Sequence, residues 1–200
     1  MLKKLSFQEY LSLGYLFLIV LGLVSEAIFY GFLGINYLEY VSILDALFSP
    51  ISLLINNKLL FGAFILFIVL TYFFVLRLPK IHKKNKDKKW YRKLYKEERE
   101  NTKGIRVNKK SGFVFVVLYF LFALLLGFRL GAGLNYKKKL TNFKFKNDCL
   151  LVFKDNSKLK VKKIGQNSAY IFYVEEKDSV VTATPILDNI KQIKRIKKEK

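Results

Sequence analysis

One cysteine, one histidine, one tryptophan and three prolines occur in 200 residues, and these scarcities narrow the chemistry before any segment is read. A lone thiol excludes a disulfide within one chain, and a lone imidazole leaves no pair of nitrogen ligands for a zinc or copper site. Acid is also scarce: 15 Asp and Glu stand against 36 Lys and Arg, a formal net charge of +21. The chain has no phosphate-cradling glycine loop, HExxH, CxxC or GxSxG, the motifs that carry nucleotide, metal or nucleophilic chemistry. No cofactor, metal or enzymatic activity is expected. Arginine is rare among the basic residues, six against 30 Lys, which argues against nucleic acid as a partner because Arg supplies most bidentate base contacts. Cys149 sits in an apolar run without a histidine beside it and reads as a buried small hydrophobe. Glu175, Glu176 and Asp178 read as a solvated turn, and His82 as a solvated loop residue.

Hydrophobic residues make up 52% of the chain, and they are gathered into blocks with the charges between them. That segregation indicates an integral membrane protein. Three runs are long and apolar enough to cross a bilayer, which needs roughly 20 residues, at about 11–34, 59–78 and 113–134. Tyr10, Tyr30, Tyr37, Tyr72 and Tyr136 lie near the expected interfaces, where amphipathic rings settle, and Pro79 is placed to stop the second run. The first run follows Lys3 and Lys4 like a signal peptide, with small residues at Ser25 to Ala27, but continues to Leu33. It is longer than a signal core requires, so an uncleaved anchor is expected.

Between the first two runs, residues 42–56 are amphipathic. Ile43, Leu44, Leu47, Phe48, Ile51, Leu54 and Ile55 form one stripe, while Asp45, Ser49, Ser52 and Asn56 recur at helical spacing on the other face. Ser42 followed three residues later by Asp45 is a helix-start pattern. An interfacial or re-entrant helix is expected, its polar face turned to the interface or to an aqueous cavity.

Charge placement orients the spans. The loop 79–112 carries 14 Lys and Arg against four acids, whereas the 35–58 connection has one Lys and two acids. The positive-inside rule puts the N-terminus and loop 79–112 in the cytoplasm and everything after the third span outside, although Lys137, Lys138 and Lys139 beyond that span oppose this weakly. Within the loop, Trp90, Tyr91, Arg92 and Lys93 belong to a short basic helix suited to anionic lipid headgroups. The abundance of Lys, Ile, Asn, Phe and Tyr resembles the bias of an AT-rich bacterial genome, so the expected location is a bacterial cell (inner) membrane.

Two charges fall inside spans. Glu26 lies 15 residues into the first and Arg129 16 into the third; at about 1.5 Å per residue both rise roughly 22 to 24 Å. Opposite charges at one depth are expected to pair, because each alone in hydrocarbon costs roughly 2.5 to 3.5 kcal/mol. Gly127 and Gly131, four apart, with Ala132, Gly133, Gly14 and Gly22, mark faces for close helix packing within the chain, with a second copy, or with another membrane protein.

Beyond residue 135 the pattern alternates. Phe143 and Phe145 alternate with lysines; 149–153 is an apolar run; 155–157 is a turn; Leu159 and Val161 alternate with lysines; 165–168 is a turn; 170–174 is apolar; and 179–183 follows another turn. Segment 186–196 fits a helix, or a helical turn running into a last strand. The fold class expected is therefore three transmembrane helices plus one interfacial or re-entrant helix (1–134), followed by a small antiparallel SH3-like or OB-like β barrel (135–200). Two functions fit: a non-enzymatic, membrane-anchored sensor, adaptor or assembly factor acting through the β domain, or an oligomeric channel or membrane-disrupting effector whose first span and amphipathic helix line a pore.

Overall fold

The computed structural model describes residues 6–77, 109–176 and 178–196, with 81, 84–85 and 88 between them. Trp90, Tyr91, Arg92, Lys93, His82 and Pro79 lie outside the described residues.

Helix α1, Phe7–Gly31, begins at a capping box: Ser6 accepts from the Glu9 amide while the Glu9 carboxylate accepts from the Ser6 amide. It ends as Gly34 turns into the left-handed region at φ 79°, a conformation that costs glycine least. A 3-10 turn, Tyr37–Glu39, leads to α2, Ile43–Asn56. The Ser42 and Asp45 pattern closes as a reciprocal cap, with the Asp45 amide donating to Ser42 Oγ at 3.1 Å and the Ser42 amide donating to the Asp45 carboxylate at 3.3 Å. In α3, Lys58–Tyr72, the Asn57 side chain accepts from the Leu59 and Leu60 amides. The chain then widens into a π-helical turn, Phe73–Arg77. Helix α4, Lys109–Thr141, is 33 residues long.

Among the described residues two helical stretches, Gln8–Gly31 and Gly112–Thr141, are long and apolar enough to cross a bilayer, and α2 with α3 supplies a third only if that bent pair counts as one span. The second run, expected as one helix over 59–78, is regular α-helix only to Tyr72. The chain divides into two compact units, Met1–Leu53 with Leu125–Lys200, and Leu54–Leu124. In the second unit, Phe67 of α3 and Phe120 of α4 stack with centroids 3.5 Å apart.

In the first unit, five antiparallel strands, β1 Cys149–Phe153, β2 Lys158–Gln166, β3 Tyr170–Glu175, β4 Thr182–Pro185 and β5 Ile190–Arg195, form one sheet in the order β4-β3-β2-β1-β5. The sheet is open, with β4 and β5 at its edges, rather than closed into the SH3-like or OB-like barrel. A four-residue helix, α5 Ile186–Asn189, precedes β5, so 186–196 is a helical turn followed by a strand.

Three local expectations change. The alternation at 143–146 forms no strand, because Phe143 takes φ 50° and closes α4. Its amide donates to the Leu140 carbonyl at 3.1 Å and the Lys144 amide to the Lys139 carbonyl at 2.9 Å, the bond pattern of a left-handed helix stop. Gly165 belongs to an irregularity inside β2, where the register shifts between Lys163 and Gly165, and the turn starts after Gln166. The strand expected over 179–183 begins at Thr182.

The two faces of the sheet bury different chemistry. On one, Cys149, Leu151, Val161, Ile171, Tyr173 and Ile190 form a largely aliphatic core. On the other, Phe172, Val174 and Val181 join Phe29, Tyr30, Leu33, Tyr37 and Leu140. The sheet thus shares a core with the ends of α1 and α4.

Candidate functional site

Glu26 and Arg129 are brought together. The Arg129 Nη2 donates to Glu26 Oε1 in an ion pair whose side chains are 15% and 8% exposed for Arg129 and Glu26 respectively. Ser49 of α2 donates to the same carboxylate oxygen, so one acid joins three helices. The guanidinium lies over the Phe29 ring, 4.9 Å from its centroid, a cation–π arrangement that suits a charge held away from water. Arg129 Nε is buried and has no hydrogen-bond partner among the described residues.

Close backbone approach makes the Ser49 bond possible. A Cβ on Gly22 would collide with the Ala46 carbonyl, so α1 and α2 touch at a point where only hydrogen fits. Ser25 and Ala46 are fully buried at this seam, and Ser25 Oγ returns a hydrogen bond to the Gly22 carbonyl at 3.1 Å.

The polar stripe of α2 divides into an engaged half and an exposed half. Asp45 accepts from the amide and hydroxyl of Ser168, in the β2–β3 turn, at 3.0 and 2.8 Å, and Ser49 meets Glu26. Ser52 and Asn56 are exposed. The apolar stripe faces outward, with Ile43, Leu44, Phe48 and Ile55 each more than half exposed. A second tie runs from the Asn167 side-chain amide to the Tyr40 carbonyl at 2.9 Å, and Asn167 Oδ1 also holds its own turn by accepting from the Ala169 and Tyr170 amides.

Above the ion pair lies an aromatic layer. Tyr30 and Tyr37 stack with centroids 4.7 Å apart and planes 3° from parallel. Phe172 lies 4.6 Å from Tyr30 and 6.0 Å from Tyr37, and Tyr40 packs edge-on to Phe172 and Tyr170. Burial, and then the negative charge of Glu26, push the Tyr37 hydroxyl above its ordinary pKa. Tyr136 meets Phe29 and Phe145, whereas Tyr10 and Tyr72 are about half exposed. The sequence marks these tyrosines only as interface residues; their pairing with Phe172 carries no local signal.

Gly127 and Gly131 are exposed and meet nothing within 4 Å, whereas Gly133 is packed against Phe32. Cys149 is free and buried, and burial pushes its thiol pKa up. Among the described residues there is no group of three His, Cys, Asp or Glu that could hold a metal ion. The site is an electrostatic clasp: it can fix the three helices and link them to the β2–β3 turn. Comparison with protein-family models, curated proteins and solved structures finds no match.

Proposed function

We propose that the protein is a non-enzymatic integral membrane sensor, adaptor or assembly factor of a bacterial cell membrane, acting through its β sheet. The observation that carries this reading is the continuous path from the β2–β3 turn to the ion pair. Ser168 holds Asp45 at one end of α2, and one turn further along the same helix Ser49 holds Glu26. A partner that moved the turn would thereby move the clasp. The channel reading has less support, because Asp45, Ser49 and Glu26, which a pore would present to water, are engaged by the chain's own donors and acceptors, and only Ser52 and Asn56 of that stripe are exposed. The outward apolar stripe of α2 suits acyl chains, as expected of a helix held within lipid against α1.

In the proposed topology the N-terminus and the basic loop 79–112 are cytoplasmic, with Trp90, Tyr91, Arg92 and Lys93 at anionic headgroups, and the sheet is extracytoplasmic. Reporter cysteines at Asn85 and Lys154 test it. The native Cys149 gives little background, since a buried thiol of raised pKa reacts slowly. Lys154→Cys should label in intact cells and Asn85→Cys only after the membrane is opened; the reverse would overturn the topology. The sensor reading is tested by reconstitution into proteoliposomes and nanodiscs, where the protein should pass no ions and form no ring. Ion flux together with a ring-shaped assembly would replace it with the channel reading.

A further inference from the structure

The face of the sheet that rests on the helix ends does not stop at β3. Val174, which lies in the aromatic cluster with Tyr30 and Leu140, pairs with Lys162 of β2. Directly paired residues share a face and side chains alternate along a strand, so Lys160 and Lys158 point the same way as Lys162. Lys160 pairs with Leu150 and Leu150 with Lys194, while Lys158 pairs with Val152 and Val152 with Gln192. The helix-facing surface therefore continues across β2, β1 and β5, about 5, 10 and 14 Å from the docked strand. It carries the exposed Lys158, Lys160 and Lys194 around the half-buried Leu150 and the buried Val152.

Lys162 is tied to Asp148. Lys158, Lys160 and Lys194 are exposed, and no salt bridge among the described residues involves them. Helix α4 adds Lys138 and Lys139 in its last turn, just before the sheet begins. Where α1 and α4 leave the bilayer, a basic face turned toward their ends meets headgroups. We propose that this lysine face is a membrane-docking surface, lying on anionic lipid headgroups in the leaflet where α1 and α4 end. The inference rests on α1 and α4 being spans and is independent of which side of the membrane that leaflet faces. It fixes the sheet at two places, by aromatic packing at β3 and by charge at β2 and β5, so that lipid composition sets how firmly the β2–β3 turn is held.

The test uses the full chain carrying Cys149→Ser and Gln192→Cys, labelled with a fluorophore at 192, in nanodiscs of phosphatidylcholine alone or mixed with phosphatidylglycerol. Each disc carries a trace of lipid with a nitroxide on its headgroup. Quenching at 192 should be stronger in the anionic discs and should fall as salt is raised, because exposed charges are screened. The advantage of the anionic discs should drop by roughly fivefold for each of Lys158→Gln, Lys160→Gln and Lys194→Gln. A control label at Asp188→Cys, in α5, should be less quenched. Equal quenching in the two lipids, or equal quenching at 188 and 192, overturns the proposal. So does a signal at 192 that responds to soluble heparin but not to lipid charge. If the lysine variants fail to fold, the salt titration decides, and quenching in anionic discs that is indifferent to salt rejects the surface. Failure here would leave the flux and labelling outcomes of the functional reading unaffected.

Discussion

The two faces of one sheet are buried by different means. The face built from Cys149, Leu151, Val161, Ile171 and Ile190 is closed by the strands themselves with Ile186 of α5 and Ile193. It is largely aliphatic, with Tyr173 among its buried members, and its period-two pattern is written in the strands. The opposite face is closed by residues more than a hundred positions away, Tyr30 and Tyr37 on Phe172, and it is aromatic. A sheet with one self-contained core and one borrowed core is an extension of the helix ends as much as a domain of its own. So short a segment gains little from burial alone, which makes the borrowed face important to its stability.

Truncation on each face separates these roles and has the largest expected effect. Phe172 and Leu151 are both fully buried. Phe172→Ala should cost about 3 to 5 kcal/mol and Leu151→Ala about 2 to 5. Only Phe172→Ala should also expose the Tyr30 and Tyr37 rings, read as increased site-resolved accessibility of those two residues, as distinct from Tyr173 beside Leu151, in the folded protein at low denaturant. Equal tyrosine exposure in both variants would mean that the two cores are one cooperative unit.

The next effect concerns the clasp. Glu26→Gln leaves a cation without its counter-ion between helices, and Arg129→Gln leaves an anion; each should destabilise by about 3 kcal/mol. The double variant replaces charge by neutral amides that still bond each other, so its loss should fall short of the sum by roughly 0.5 to 3 kcal/mol. Thermal unfolding of the three variants in nanodiscs measures this, and strict additivity would mean that the ion pair contributes no coupling.

The same division governs what the sequence disclosed. Features set by local or one-dimensional rules were legible: the Ser42–Asp45 cap, β1 over 149–153, and the pairing of Glu26 with Arg129, for which an equal helical rise is enough. Features set by distant partners were not. The alternation of Phe143 and Phe145 looks like a strand, but α4 runs on through Lys137–Lys139 and uses Phe143 as its left-handed stop. Nothing between 143 and 146 announces this, since such a stop is usually Gly or Asn. Gly165 resembles a turn residue, yet a Cβ there would meet the Tyr30 hydroxyl, so its smallness serves packing against α1. The polar stripe of α2 was visible, but not that Asp45 and Ser49 would find protein donors and acceptors rather than water.

Glycine substitution carries the comparison to its smallest effect, where the sign itself is the result. In a helix, Gly→Ala ordinarily stabilises by roughly 0.5 to 1 kcal/mol, because alanine loses less backbone freedom on folding. Gly127 and Gly131 have nothing within 4 Å of the added methyl, so Gly127→Ala and Gly131→Ala should each show that gain. At Gly22 the methyl would meet the Ala46 backbone carbonyl, which cannot rotate away, and separating α1 from α2 would also stretch the Ser49–Glu26 bond. Gly22→Ala should therefore destabilise by about 1 to 3 kcal/mol despite the propensity gain. Gly133→Ala meets only the Phe32 ring, a side chain that can swing, and should fall between the two. Thermal unfolding of the four variants in the same nanodisc orders them. A destabilised Gly127→Ala or Gly131→Ala would show that this open face of α4 is covered in the bilayer by a second copy or another helix, and a stabilised Gly22→Ala would dissolve the α1–α2 seam on which the clasp depends.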